Sequence, residues 1–187
     1  MATAQQAERR PAPALVLPLV IGGAISLMLG VYGRNHDATG RGLITLFFTS
    51  GIYLKAWFAT AAVACGLFQV LSALRLYDKI HIPRTFPPWL GQAHRLSGTL
   101  AFMFSLPVAY HCLWGLGFAT EGGTRRVLHS LFGCLFYGAF AAKVIIVRSK
   151  HMPNWALPVV GGTTFAILVL LWYTSALWLF TNHGFKV

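Results

Sequence analysis

Three histidines, His94, His111 and His129, fall inside long apolar runs. A polar side chain at bilayer depth is costly and marks a functional position by default. Imidazole is the usual ligand of a haem iron held from two sides, which requires two histidines at one depth on neighbouring helices. His111 lies seven residues before Phe118, about 10 Å from that end of its run at 1.5 Å per residue. His129 lies four residues after Arg125, about 6 Å into the following run. A short turn joins the two runs, so they are expected to be antiparallel neighbours with His111 and His129 at similar depth, the first candidate ligand pair.

His94 lies 17 residues before His111, about 25 Å away along a helix and hence near the opposite membrane face. The other histidine reaching that level is His151, so a His94–His151 pair gives a second b-type haem and an electron path across the bilayer. Against it, His151 falls at the interface, and 17 residues turn the side chain by about 100° on a straight helix. A kink at Pro107 changes that angle. Each span histidine has a glycine four residues on: Gly98, Gly115 and Gly133. Positions i and i+4 share a helix face, and a missing side chain there leaves room for a macrocycle edge. Close packing of helices through small residues produces the same pattern. Arg125 and Arg126 near one pair, and Arg95 and Lys143 near His94, are candidate partners for haem propionates; snorkelling to the lipid interface accounts for them equally well.

The remaining candidates have plainer readings. His36, His81 and His183 are loop or terminal residues expected to be solvated, and Met28, Met103 and Met152 are expected to pack. Cys65, Cys112 and Cys134 form no C-x-x-C motif and read as small buried hydrophobes. A zinc or copper site is disfavoured, because no carboxylate or close cysteine joins the histidines.

The elements that must position these residues are transmembrane helices. Hydrophobic residues make up 56% of the 187-residue chain and charged residues 10%, far below the roughly 25% of soluble domains. Residues 1–13 form a polar tail. The first span covers 11–33; a cleaved leader is the competing reading of that run. Residues 34–42 are a polar loop, 43–54 a short apolar segment of interfacial or re-entrant character, and 56–74 the second span. After a proline-rich loop, the third span covers 90–118, the fourth 125–147 and the fifth 155–180. The expected fold is an all-α membrane bundle of about five helices, one domain over residues 14–182 with a tail at 183–187.

The net charge of +11 raises nucleic acid as a partner, but the basic residues sit singly or in pairs between apolar runs, as lipid-facing loops do. With the N-terminus inside, Arg9, Arg10, Arg75, Lys79, Arg84, Arg95, Lys143, Arg148 and Lys150 lie on the inner side. Arg34, Arg41, Lys55, Arg125, Arg126 and Lys186 lie outside. Nine against six favours a cytoplasmic N-terminus.

The segment His94-Arg95-Leu96-Ser97-Gly98 opening a span, with a later histidine on the same helix, resembles the transmembrane b-type cytochromes and the haem-bearing membrane domain of ferric reductases. The stretch from Pro88 to Phe180, including Tyr137-Gly138-Ala139-Phe140, is similar to an uncharacterised actinobacterial family of small integral membrane proteins. The resemblance covers about half of the chain and implies haem ligation by His94, His111 and His129 and a bacterial plasma membrane. The spacing of 17 is longer than is usual within one such helix. No flavin- or nicotinamide-binding domain follows, so the expected role is an electron-transfer subunit serving a quinone or a redox partner protein, not a complete oxidoreductase. The alternative is a haem-free membrane subunit, scaffold or small transporter whose histidines bond between helices.

Overall fold

The computed structural model describes residues 12–40, 44–120, 122–149 and 152–187. Five helices dominate them: α1 (Ala12–Asn35), α2 (Gly51–Leu76), α3 (Leu90–Leu116), α4 (Thr124–Arg148) and α5 (Ala156–His183). Each is longer than the roughly 20 residues needed to cross a hydrocarbon core and is apolar over most of its length. Within each, main-chain polar groups bond inside the helix, the condition for crossing lipid. The chain is therefore a multi-pass membrane protein. Its outward surfaces carry large exposed apolar side chains, among them Leu27 and Met28 on α1, as lipid-facing helices must.

The helices close into a ring. α2 packs on α3 and α5, α4 packs on α5 and α1, and α1 returns to touch the last turn of α3. The α1–α4 crossing is the tightest. Gly22, Ser26 and Gly30 on α1 face Cys134, Gly138 and Ala142 on α4, both at intervals of four. A Cβ added at Gly22 would stand 2.6 Å from the Gly138 carbonyl oxygen, and one added at Gly30 would stand 3.9 Å from Cys134 Sγ. Small residues let the two backbones approach, and dispersion then holds them. α1 is thus built into the bundle.

The expectation that α3 and α4 pack closely needs correction. A short loop joins them and they run antiparallel, but their backbones scarcely approach. They meet through side chains at mid-depth. Tyr137 Oη donates to the Ser105 carbonyl at 2.9 Å, and the Phe102 and Phe140 rings stack with centroids 4.5 Å apart. Toward the end of the ring where α2 and α4 begin, the two helices part around a central cavity.

Two departures from α geometry border that cavity. α3 ends in a π-helical turn at His111–Leu116, and α5 contains another at Tyr173–Leu177. The α3 turn is covered by residues 36–40, whose Thr39 and Gly40 N–H groups donate to the Trp114 and Gly115 carbonyls at 3.3 and 3.0 Å. The apolar segment expected at 43–54 divides. Its described part before Ser50 is irregular, whereas helix α2 begins at Gly51, upstream of Lys55. Residues after α5 fold back, with Trp57 Nε1 donating to the Lys186 carbonyl at 2.8 Å.

Candidate functional site

The central cavity has a volume of about 390 Å³, within the range of small-molecule sites. All five helices contribute to its wall. Ala56, Ala59 and Ala62 of α2 line one side, and His129, Gly133 and Tyr137 of α4 line another. Lys55, Arg125 and Arg126 lie at the end from which α2 and α4 start. No aspartate or glutamate lines it among the described residues.

His129 is held in one orientation. Its Nδ1 stands 3.0 Å from Thr174 Oγ1 on α5, and that hydroxyl donates to the Leu170 carbonyl at 2.7 Å. With its hydrogen committed, the hydroxyl accepts, so Nδ1 carries the imidazole proton. The ring also bonds to the Leu171 main chain and borders the cavity. Metal-ligating histidines are commonly oriented in this way, by a hydrogen bond from the other ring nitrogen. Gly133, one turn further along α4, has nothing within 4 Å of a would-be Cβ and opens directly on the space.

His111 is placed differently. It is buried, but its Nδ1 lies 2.8 Å from the Pro107 carbonyl and its Nε2 lies 2.8 Å from the Ile44 carbonyl. Its ring packs beside Gly51 at the start of α2. Both nitrogens are thus spent on main chain, and His111 fastens the segment before α2 to the π-turn of α3. The structure does not bring His111 and His129 face to face across a shared gap. Its bonds to the Pro107 and Ile44 main chain turn the His111 ring toward residue 44 and Gly51.

His94 lies at the opposite end of the ring. Its Nδ1 is 2.7 Å from Ser72 Oγ, a hydroxyl whose hydrogen goes to the Phe68 carbonyl. Gln69 donates to the His94 carbonyl and to Ser97 Oγ, and receives the Lys143 ammonium at 3.3 Å. Lys143, expected on the inner side near His94, lies at that level with its ammonium on Gln69 of α2. His151 lies outside the described residues, so a His94–His151 pair has no geometry here. Arg95 is exposed.

The three glycines separate by use. Gly98 makes room for the Gln69 amide, which a Cβ would approach to 3.1 Å, and Gly115 is buried under residue 40; Gly133 alone opens on the cavity. The two arginines are already engaged. Arg125 Nη1 donates to the Thr174 carbonyl at 2.5 Å, with its guanidinium 4.0 Å above the Trp178 ring, and Arg126 Nε donates to the Gly122 carbonyl at 2.8 Å. His36 departs from its expected solvation: it stacks between Tyr32 and Trp114 at 5.1 and 4.7 Å, with Nε2 buried and unpartnered. His81 and His183 are exposed as expected. Among the described residues, no group of three histidine, cysteine or acidic side chains converges as a conventional metal site would require.

Sequence reasoning missed Lys55 and Thr174. Lys55 is the only charge between Leu43 and Leu74. Continuing the helix through it would have placed it inside a span. Thr174 carries no sequence signal, because its position depends on the π-turn.

Five spans, a ring and an internal cavity with a basic end define the class: a multi-pass helical membrane protein with a ligand-sized interior site. Residues 15–187 match a family described as a family of unknown function, DUF6529, and the chain belongs to it. No curated protein and no solved structure matches the chain.

Proposed function

We propose that the protein is a membrane electron-transfer subunit that binds one non-covalent b-type haem in the central cavity, with His129 as its protein ligand. The observation carrying this is the His129 imidazole, held through Nδ1 by Thr174 in the wall of an apolar chamber with Gly133 beside it. A haem is an apolar disc with two carboxylates on one edge, and the chamber has apolar walls with Lys55, Arg125 and Arg126 at one end. Bound there, the iron would supply one-electron chemistry. The chain would hold the ring, exclude water and set the potential through the His129–Thr174 hydrogen bond. A quinone or a redox protein would exchange electrons with it. A bacterial plasma membrane with the N-terminus cytoplasmic belongs to the same proposal, on the resemblance and the charge count.

The test is optical. Purified protein should show Soret and α bands that respond to dithionite, and His129→Ala should lose them while eluting as the same folded species. A colourless preparation that also fails to take up added haem would overturn the proposal. One set of contacts favours the haem-free alternative. His94 and His111 both make bonds that tie separate segments together, as histidines serving only to join helices would.

A further inference from the structure

Lys55 is the unexplained charge of the cavity. It lies four residues into α2, about 6 Å below the start of the helix, and His129 lies five residues into α4, about 8 Å below its start. Both helices begin at the same end of the ring, so the ammonium and the imidazole share a level, and Lys55 lies within electrostatic reach of His129 and Cys112. Arg125 is satisfied by a carbonyl and an indole ring, and Arg126 by a carbonyl. Lys55 makes no hydrogen bond or ion pair with any described residue, yet it is half-buried in the cavity wall.

Helix stability does not explain it. The N-terminal end of a helix carries the positive end of the macrodipole, so a cation there is placed where the backbone field opposes it. Neither α2 nor α4 has an acidic residue in its first turn to offset this. α1, α3 and α5 end where α2 and α4 start, so the helix dipoles do not add there, and the positive field comes from three cationic side chains at one end of an apolar chamber that no described carboxylate enters. In a low-dielectric surrounding, such an arrangement strongly favours a ligand that brings its own negative charge.

We infer that the cavity selects its ligand by a carboxylate on an apolar body, and that Lys55 is the residue that recognises it. The site is the one assigned above to haem, so the inference rests on that chamber. Two sources present this chemistry, a haem propionate and a free fatty acid.

The experiment titrates detergent-solubilised full-length protein with haemin, haemin dimethyl ester, a fluorescent long-chain fatty acid and its methyl ester. Wild type should bind the acid form of its ligand more tightly than the ester by about tenfold, which corresponds to ~1.4 kcal/mol. Lys55→Gln should weaken the acid form to the level of the ester and leave the ester unchanged, and Lys55→Arg should restore the preference. If only the fatty acid shows this pattern and haemin does not bind, the inference stands and the haem assignment falls. If haemin binds and acid and ester are bound equally, the inference is overturned while the haem assignment survives. Equal weakening of acid and ester by Lys55→Gln, or no binding of either pair, overturns it as well.

Discussion

The α1–α4 crossing gives a quantitative test of how the bundle is held. Alanine at Gly22 puts a methyl carbon 2.6 Å from the Gly138 carbonyl oxygen and 3.2 Å from Ala142 Cβ. Alanine at Gly138 meets the Gly22 carbonyl and Ser26 Oγ more closely still. The Ser26 hydroxyl can rotate away, but the Gly22 and Gly138 carbonyl oxygens are backbone and cannot. The carbonyl belongs to a helix that moves only as a unit, so the helices must separate by most of an ångström. A gap of that size forfeits about a quarter to a half of each dispersion contact along the seam. In lipid no hydrophobic force between helices compensates for the loss. The expected cost is about 1–3 kcal/mol for either substitution, the usual range for overpacking. Gly23→Ala is the matched control on the same helix, because a Cβ there meets nothing within 4 Å. Reversible unfolding in mixed detergent–SDS micelles would measure all three variants. Gly22→Ala and Gly138→Ala should lower the midpoint and Gly23→Ala should not. Equal midpoints for Gly138→Ala and Gly23→Ala would refute the close crossing, and with it the retention of α1 as a packed member of the ring.

Other outcomes follow from the cavity and its borders. Gly133→Leu should fill the open space beside His129 and abolish haem uptake by absorbance, with an unchanged unfolding midpoint, since its Cβ meets nothing within 4 Å and the position lines the cavity. Thr174→Val removes the acceptor for His129 Nδ1 while keeping the shape; ¹⁵N NMR of labelled histidine should show His129 losing its single tautomer, and Thr174→Ser should restore it. His111→Phe should cost about 1–3 kcal/mol, the range for leaving buried polar groups unpaired, and should increase proteolysis between residues 36 and 50. The same variant should retain the haem spectrum; a folded His111→Phe protein without Soret absorption would show that His111 ligates after all.

Hydropathy and charge spacing were enough to read the five spans, because a lipid-crossing helix must be long, apolar and flanked by polar turns. Only the start of α2 was displaced, and the cause was Lys55: a charge taken as a boundary proved to lie inside the helix. The direction of a side chain was not legible. Counting along a helix assigns a face to each residue, but nothing in residue spacing marks the irregular segment at Ile44 as the partner of His111. The glycine pattern misled for a related reason. A glycine records a close approach without saying what approaches, and at Gly98 it is the Gln69 amide.

The two π-turns connect these observations. In an α-helix each carbonyl is taken by the N–H four residues on, whereas a π-turn shifts the partner by one residue and upsets that sequence. At the end of α3, the Trp114 and Gly115 carbonyls are taken by residues 39 and 40, which close the chain over the helix end. In α5, the Trp178 N–H goes to Ser175, and the Thr174 carbonyl receives Arg125 instead. Thr174 thus holds Arg125 through its carbonyl and His129 through its hydroxyl, fixing both at the edge of the same chamber. The two turns lie at the same end of the ring, where α3 and α4 part. That end holds the cavity, the basic side chains and the His129 imidazole, whereas at mid-depth the helices are joined by the Tyr137–Ser105 bond and the Phe102–Phe140 stack. Irregular backbone inside a membrane is tolerated where other protein groups satisfy it. Here the groups that satisfy it are also those that shape the candidate site.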